Sequence, residues 1–289
     1  MGKSFSQITL PCVMGILNIT PDSFSDGGKF FDRDVGEQRP EAIIAQPKAL
    51  QHLYELVDGG GTIIDIGGES TNPKAVEIDA DTEWRRIGNV LNAATAVGNV
   101  SISIDTYHVE VARKALEHGV NIINDVCCTW HFREMATVVK DFDAHLIVTH
   151  NARNDKNFLQ TNDPIGKIIS EFERILDEAD HINFDVKRII FDPGIGFGKT
   201  PQQNLEIFRT IGKICSKFSN PVVCATSKKS FLATAVNGND GQTLSSATIA
   251  TTMEGFRQGC KIFRVHEVVE NLAVLKFAQK LYERQNFHR

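Results

Sequence analysis

The chain lacks the cysteine patterns that define a disulfide scaffold or a zinc site. Its six cysteines form no C-x-x-C pair, and no cysteine and histidine have the spacing that a zinc site needs. Several cysteines lie inside apolar runs, as in Pro221–Thr226. Because disulfides are rare in reducing compartments, we expect reduced, buried thiols and a cytoplasmic protein.

The chain also lacks an excess of positive charge and any long hydrophobic run. Its formal net charge is -5, which argues against nucleic acid or an acidic membrane surface as the main partner. No charged-then-apolar leader opens the sequence, and no run approaches the roughly 20 apolar residues of a membrane span. We therefore expect no nucleic-acid partner and no membrane partner.

Eight short apolar runs alternate with amphipathic segments of helical length. This alternation indicates parallel βαβ units, because parallel strands need a crossover connection. Eight such units in about 250 residues predict an α/β protein with a (β/α)8 TIM barrel. The expected strands are Cys12–Ile19, Thr62–Gly68, Ser101–Asp105, Asn121–Val126, His145–His150, Arg188–Pro193, Pro221–Thr226 and Lys261–His266. The alternative is an open doubly wound sheet, which would carry a glycine-rich fingerprint after its first strand.

No linker, repeat or low-complexity block interrupts the alternation. We therefore expect a single domain over residues 1–289, with its core at about 11–284. The segment Phe31–Gln46 is polar and long for a connection between strand and helix, and we interpret it as a mobile loop. The expected helices are Glu41–Val57, Asp81–Ala96, His108–His118, Phe132–Val139, Pro164–Asp180, Gln202–Lys217, Ser230–Val236, Leu244–Arg257 and Val268–Arg284.

Each expected strand carries a polar or charged residue at its C-terminal end. Apolar strands should avoid such residues, and in a closed barrel all of these ends meet at one mouth. Their presence on all eight strands favours closure and predicts a polar site at that mouth. The residues are Asn18, Glu69, Asp105, Asn124, His150, Asp192, Ser227 with Lys229, and Arg264 with His266.

Two carboxylates and a carboxamide should converge at this mouth. Asp105, Asn124 and Asp192 together suit a planar, nitrogen-rich heterocycle that has several N–H donors. They would also suit a metal, although four or more oxygen ligands at fixed spacing are not evident. For each residue alone the alternative is a helix N-cap, because each one lies just before a helix.

Positive charge follows the last two strands. Ser227-Lys228-Lys229-Ser230 opens a helix and is typical of a site for an anion or a carboxylate. Strand alternation should point Arg264 and His266 the same way, where they would bind phosphate. A buried pair between Arg264 and an acid is the structural alternative.

Two loops add oxygen-rich and glycine-rich sequence at the same mouth. The loop within Gly15–Gly28 has Asn, Thr, Asp and Ser side chains, which suit Mg2+ carried in with a phosphate, or a lid. Gly67-Gly68-Glu69-Ser70-Thr71 allows close backbone approach and offers hydroxyls to anionic oxygens. A polar turn explains either loop equally well when each is taken alone.

An ordered set of motifs carries a family resemblance over about Pro11 to Leu281. MGILNITPDSFSDGG, GGEST-x-P, SIDT, IINDV, FDPGIGFGK, S-K-K-S and RVHE resemble, in this order, the dihydropteroate synthase family. The resemblance implies a (β/α)8 barrel and a transferase that joins 4-aminobenzoate to a pterin carrying a methylene diphosphate. It also implies 7,8-dihydropteroate and diphosphate as products, Mg2+ as cofactor, and a homodimer with its interface away from the site.

The resemblance further implies roles on the pterin side of the site. Asn18 would bind the Mg2+ of the diphosphate. Asp105, Asn124, Asp192 and Lys229 would hold the pterin ring. The negative charges of Asp105 and Asp192 would stabilise the positive charge that develops on the pterin when diphosphate leaves.

The other implied roles concern the diphosphate and the second substrate. Thr71, Arg264 and His266 would contact the pterin diphosphate, the last two at its phosphates. Ser227 would frame the aminobenzoate site with the loops Thr20–Gly28 and Glu69–Pro73. The implied catalytic set is Asp105, Asp192, Lys229, Arg264 and His266.

The chain departs from the family pattern on the aminobenzoate side. The family usually has Arg where this chain has Asn72, and Gly-x-Ser-Arg-Lys where it has Ala225-Thr226-Ser227-Lys228-Lys229. The family's closing motif usually ends in Asp, and here it ends in Glu267. An ammonium lacks the bidentate geometry of a guanidinium. We therefore predict altered affinity for 4-aminobenzoate and its sulfonamide mimics.

Two other functions remain open at this point. Folate-dependent methyltransferases that serve a corrinoid protein use a similar barrel, but they need neither the lysine pair nor the phosphate-binding Arg264 and His266. A pterin-binding protein without catalysis is the second alternative, which the departures would permit.

Overall fold

Eight parallel strands form a barrel in the computed structural model, which describes residues 4–20, 46–71 and 75–282. They pair in the order β6-β5-β4-β3-β2-β1-β8-β7. A single parallel bridge between Phe191 of β6 and Val222, just before β7, joins the two ends. The expectation of a (β/α)8 barrel is confirmed. The strands are β1 Cys12–Asn18, β2 Ile63–Gly67, β3 Ser101–Asp105, β4 Ile122–Asp125, β5 His145–Thr149, β6 Ile189–Asp192, β7 Val223–Cys224 and β8 Ile262–Val265.

Helices connect successive strands and lie outside the barrel. Their positions follow the predicted ones, with two main differences. The fourth helix begins at Cys128 instead of Phe132, and the predicted helix Gln202–Lys217 is two helices that meet at Ile211. The helices are α1 Gln46–Asp58, α2 Ala80–Ala96, α3 Val109–Glu117, α4 Cys128–Asp141, α5 Pro164–His181, α6 Pro201–Thr210, α7 Gly212–Lys217, α8 Ser230–Val236, α9 Gly241–Arg257 and α10 Val268–Tyr282.

Local sequence sets where several helices begin. The Asp79 side chain accepts a hydrogen bond from the backbone N–H of Thr82 over 2.7 Å at the start of α2. Thr200 and Gln203 form a reciprocal capping box at α6, which has proline at its first position. Such caps satisfy N–H groups that have no partner inside the helix.

The core has two parts. Aliphatic side chains such as Leu17, Ile64 and Ile104 pack between the strands and the surrounding helices. A smaller cluster fills the barrel interior and includes Phe5 and Ile8. Its members on the strands are Cys12, Met14, Ile63, Ile122, Ile147, Ile190, Val223, Ala225 and Ile262.

The N-terminal end of the barrel is closed by the segment that precedes β1. Phe5 lies in a short 3-10 helix, Phe5–Gln7, and its ring is 4.4 Å from the ring of His145, the first residue of β5. Burying an aromatic or aliphatic side chain in this way contributes about 1.5–3 kcal/mol. Since this end is filled by apolar side chains, the polar strand ends lie at the opposite mouth.

Two further expectations from the sequence concern the first long loop and membrane-spanning segments. The predicted loop Phe31–Gln46 lies outside the described residues, apart from Gln46, which begins α1. Among the described helices, none is both long enough and apolar enough to cross a membrane.

Candidate active site

A cavity of about 570 Å³ lies at the C-terminal ends of the strands. Its volume is in the range of ~300–1,000 Å³ that small-molecule sites occupy. The residues that sequence reasoning assigned to the site were drawn from separate strands, and most of them meet here. Seven of the nine line the cavity: Asn18, Thr71, Asp105, Ser227, Lys229, Arg264 and His266.

The other two predicted residues are not part of the wall that the described residues form. Asn124 is buried, and its Nδ2 donates a hydrogen bond to Oδ2 of Asp65 over 3.1 Å. Asp192 is also buried, and its Oδ1 accepts the backbone N–H of Gly194 over 2.7 Å. Strand register explains why Asn124 is near the cavity, since β3 and β4 pair Asp105 with Asn124.

Arg264 forms a double ion pair at the centre of the mouth. Its Nε donates to Oδ2 of Asp65 and its Nη2 donates to Oδ2 of Asp105, both over 2.6 Å. The buried Arg–acid pair that we considered as an alternative is therefore present, and Arg264 lines the cavity as well. Two of its five N–H donors are used in this way.

Asp65 was missed by sequence reasoning. It is fully buried in the middle of β2, and its Oδ2 accepts from both Arg264 and Asn124. An acid flanked by Ile64 and Ile66 is a signal that could have identified it, because an unpaired carboxylate is costly to bury.

Buried oxygens that lack a hydrogen-bond partner in the described part of the chain lie on or just after β1, β3 and β4. Oδ1 of Asp105, Oδ1 of Asn124 and Oγ1 of Thr20 are buried and have no hydrogen-bond partner among the described residues. Burial raises the pKa of Asp105 to about 7, although the charge of Arg264 opposes the shift. Groups of this kind are suited to a ligand that brings its own N–H donors.

Lys229 extends into the cavity from the end of β7. It is the N-cap residue of α8, and its Nζ donates to the carbonyl oxygen of Ile195 over 2.5 Å. The same ammonium lies 5.0 Å from the centre of the Phe197 ring. Burial lowers the pKa of Lys229 to about 8, while the negative charge of Asp192 opposes that change.

Ser227 and His266 are held together across β7 and β8. Ser227 Oγ lies 2.8 Å from Nδ1 of His266 and accepts the backbone N–H of the same residue over 3.2 Å. Because Oγ already accepts the backbone N–H, its own hydrogen can donate to Nδ1. This arrangement favours a proton on Nε2 of the neutral ring.

Two of the residues that depart from the family pattern, Lys228 and Glu267, contact each other. Lys228 has a left-handed backbone with φ of 52°, and its Nζ forms an ion pair with Glu267. Ser245 Oγ also donates to the Glu267 carboxylate, over 3.2 Å. Lys228 lines the cavity, so part of its charge is compensated at the wall. Asn72, which also departs from the pattern, lies outside the described residues.

Two more residues show the limits of the sequence prediction. Arg153, which follows β5, lines the cavity, and its Nη2 donates to the carbonyl oxygen of Thr71. His150, which we noted at the end of β5, is buried against the Phe158 ring at 4.9 Å. Burial and the nearby Lys199 hold the pKa of His150 well below its usual range.

Comparison with known proteins identifies the family of this chain. The family described as "Pterin binding enzyme" matches residues 14–266. A dihydropteroate synthase from Bacillus subtilis is 37% identical over 285 residues, which cover 99% of this chain and 93% of the relative. A solved dihydropteroate synthase from Clostridium difficile, studied with pteroic acid, has a TM-score of 0.80 at 34% identity and covers 95% of this chain and 97% of its own.

A second solved structure agrees. It is a dihydropteroate synthase from Xanthomonas albilineans with 4-aminobenzoic acid, with a TM-score of 0.81 at 27% identity over 94% of this chain and 93% of its own. Fold and site thus define a pterin-binding enzyme on a TIM barrel. Within that class, the chain belongs to the dihydropteroate synthase family, whose members are transferases of folate biosynthesis.

The residues at the end of β1 fit the divalent metal that this family uses. Asn18 lines the cavity, and so does Thr20, whose buried Oγ1 has no hydrogen-bond partner in the described ranges. Mg2+ is usually bound through one or two protein oxygens together with phosphate and water oxygens. The carboxamide of Asn18 and the hydroxyl of Thr20, both at the cavity wall, meet that requirement. The oxygen-rich residues after Thr20 lie outside the described residues.

Proposed function

We propose that this cavity joins 4-aminobenzoate to (7,8-dihydropterin-6-yl)methyl diphosphate, giving 7,8-dihydropteroate and diphosphate. The observation that carries the proposal is the pair of buried acceptors, Oδ1 of Asp105 and Oδ1 of Asn124, beside a cavity of about 570 Å³. A pterin ring presents several N–H donors along one edge and would satisfy both. The solved relatives with pteroic acid and with 4-aminobenzoic acid support both halves of the product.

The pterin ring would lie against the acid side of the cavity. Asp105, Asn124 and Asp192 would accept its N–H groups, and Lys229 would donate to a ring acceptor. Phe197, close to the Lys229 ammonium, offers an aromatic surface at the wall. This arrangement assigns a ligand contact to each of the polar strand ends on β3, β4, β6 and β7.

The reaction does not require a nucleophile from the protein. The bond between the pterin methylene carbon and the diphosphate oxygen breaks, and the positive charge that remains is spread into the ring. The carboxylates of Asp105 and Asp192 would stabilise this charge. The amino nitrogen of 4-aminobenzoate then bonds to the methylene carbon and loses a proton to solvent or to the departing diphosphate.

The cationic side of the cavity would bind the leaving group. Arg264 is fixed by Asp65 and Asp105, and His266 is oriented by Ser227, so both would meet the diphosphate in set directions. The Thr71 hydroxyl would add a third contact. Asn18 would hold Mg2+, which neutralises charge on the diphosphate when bound.

The second substrate would occupy the side of the cavity formed by Ser227 and Lys228. The carboxylate of 4-aminobenzoate must compete with Glu267 for the ammonium of Lys228. For that reason we propose that affinity for 4-aminobenzoate and for sulfonamides differs from that of family members with arginine at this position.

A diphosphate-release assay distinguishes the proposed reaction from the two alternatives. The proposed reaction releases diphosphate only when the pterin diphosphate and 4-aminobenzoate are both present. A non-catalytic pterin-binding protein would bind the pterin and release none. A corrinoid-linked methyltransferase would instead bind a methylated tetrahydrofolate and would not consume the diphosphate.

The proposal also includes a cytoplasmic homodimer. Apolar side chains at Val269, Phe277 and Leu281 are exposed on α10, outside the cavity. Exposed apolar patches of this kind are typical of protein interfaces. The six cysteines are all free thiols, which suits a reducing compartment. Sedimentation velocity with Phe277→Glu tests the interface, and an unchanged dimer in that variant would exclude α10.

A further inference from the structure

Three side chains beside the cavity bring metal-ligating atoms together. Glu69 follows β2, Glu83 lies on α2, and His108 is the N-cap residue of α3. One donor atom from each lies within 4.8 Å of the other two. Among the described residues this is the only such group of three, and no step of the proposed reaction uses it.

The hydrogen bonds of Glu69 leave one oxygen facing the histidine. Its Oε1 accepts from the Tyr107 hydroxyl over 2.8 Å and from the backbone N–H of Ile78 over 3.1 Å. Its Oε2 lies 3.0 Å from Nε2 of His108. The carboxylate is therefore oriented by two donors, with its second oxygen directed to the cluster.

Glu83 has an oxygen without a partner. The residue is fully buried, and its Oε2 accepts from the Thr106 hydroxyl over 2.7 Å. Its Oε1 has no hydrogen-bond partner in the part of the chain that the structure describes. A buried carboxylate oxygen of this kind is expensive unless a proton or a cation satisfies it.

The charges around the cluster favour a cation. Burial raises the pKa of Glu83 to about 8, and the nearby charges of Glu69 and Asp105 raise it further, against the effect of Arg86. Arg86 itself donates from Nη1 to the carbonyl oxygen of Gly68 over 2.9 Å. At neutral pH this pKa favours a proton on Glu83, and a divalent cation held between the two carboxylates would replace that proton.

We propose that Glu69, Glu83 and His108 bind a divalent transition-metal ion of the Mn2+, Fe2+ or Zn2+ kind. This site is distinct from the Mg2+ proposed at Asn18. One imidazole and two carboxylates are a ligand set that such ions accept, with water in the remaining positions. Donors at about 2.0–2.2 Å from one ion lie roughly 3–4.4 Å apart, so small side-chain shifts suffice.

The ion would hold one wall of the cavity in place. Glu69 and Thr71 line the cavity from the loop after β2. That loop packs tightly on α2, because a Cβ added at Gly68 would lie 3.0 Å from Cγ of Glu83. An ion shared by the loop, α2 and α3 would fix Thr71 relative to the strands. Its role is structural and does not depend on the proposed reaction.

Mn2+ binding to the metal-free full chain, without substrates, tests the site. Mn2+ is the suitable probe because the free thiols compete for softer ions. Electron paramagnetic resonance measures the Mn2+ that stays free in solution, and the amount missing from that signal should equal one bound ion per chain. Glu83→Gln and His108→Ala should weaken binding by at least about tenfold, the loss of one ligand contact. Mn2+ should raise the melting temperature of the wild type but not of these variants.

Two control variants distinguish this site from surface histidines and from the Mg2+ position. His181→Ala removes an exposed histidine at the end of α5 and should bind Mn2+ as the wild type does. Asn18→Ala should also retain the ion at the cluster. Circular dichroism confirms that Glu83→Gln is folded. If the wild type binds no Mn2+, or if the folded Glu83→Gln binds it equally well, Glu83 holds a proton instead and the proposal is overturned.

Discussion

Nε of Arg264 donates a hydrogen bond to Oδ2 of Asp65 over 2.6 Å, although the two residues are 199 positions apart in the chain. β1 lies between their strands in the sheet, so the bond connects opposite sides of one strand at the barrel mouth. This bond and the one from Nη2 of Arg264 to Asp105 together fix the plane of the guanidinium. A residue that must bind a departing diphosphate is thereby oriented before substrate arrives.

Asp65→Asn should destabilise the protein because it leaves the Arg264 charge with one partner fewer. Breaking one side of a buried pair costs about 3–5 kcal/mol in the free energy of unfolding. Asp81→Asn is the matched control, since its carboxylate is 83% exposed, and it should leave stability nearly unchanged. Urea denaturation measures both variants. Equal midpoints for Asp65→Asn and the wild type would show that the pair contributes nothing.

Gly194→Ala should disrupt the turn after β6. Gly194 has φ of 65°, and a Cβ there would overlap the carbonyl oxygen of His150. Strain and overpacking of this kind cost about 1–3 kcal/mol each. Gly98→Ala is the control, because nothing lies within 4 Å of a Cβ at that position. Thermal unfolding should place Gly194→Ala well below Gly98→Ala, and similar melting temperatures would refute the argument.

Pterin affinity should fall as the pH drops below about 7. Burial raises the pKa of Asp105 to about 7, and only the ionised carboxylate offers all of its oxygens as acceptors. The affinity should therefore decrease about tenfold per pH unit on the acid side. Calorimetric titration of a pterin over this range measures the effect. Asp105→Asn should bind weakly with a flatter profile, and the same slope in that variant would assign the titration to another group.

The same shift has a consequence for stability. The pKa of Asp105 is higher in the folded chain than the ordinary value of 3.8, so the folded state binds the proton more tightly. Its contribution to stability is complete below pH 3.8 and is lost as the pH rises through about 7. Raising the pH through about 7 should therefore strengthen pterin binding and, at the same time, remove the contribution of Asp105 to the stability of the free protein.

The two adjacent lysines should separate the two substrates. Lys228→Met should raise KM for 4-aminobenzoate and leave KM for the pterin diphosphate within about twofold, because a charge-assisted hydrogen bond is worth about 1.5–3 kcal/mol. Lys229→Met should raise mainly the KM for the pterin diphosphate. The affinity for a sulfonamide, measured by titration, should fall in Lys228→Met as the affinity for 4-aminobenzoate does. An identical change in both KM values for both variants would contradict the assignment.

Much of the fold could be predicted because strands and polar ends share a simple pattern. Ser101–Asp105 and Ser230–Val236 were predicted with the bounds that the structure has. The start of α4 was not, since it depends on a local network. The Asp125 carboxylate accepts from the backbone N–H of Cys127 over 2.8 Å and lies 2.7 Å from Nε2 of His131, and no hydrophobic period reports such contacts.

Site residues could be predicted from the sequence where they lie at the ends of strands, and they could not be predicted elsewhere. Asp65 lies inside an apolar strand, and its partner Arg264 is on the last strand. The two meet only because β2 and β8 both pair with β1. The cluster of Glu69, Glu83 and His108 draws one residue from each of three separate segments. The spacing of these residues in the sequence does not indicate that they lie close together in the fold.

Formation of 7,8-dihydropteroate by the purified protein tests the central claim most directly. With Mg2+, pterin diphosphate and 4-aminobenzoate, chromatography should find dihydropteroate and diphosphate in equal amounts, and neither when one substrate is omitted. Asp105→Asn and Lys229→Met should lower kcat/KM for the pterin substrate by about a hundredfold, the loss of one or two charge-assisted contacts. Diphosphate released without 4-aminobenzoate, or full activity in both variants, would contradict the account.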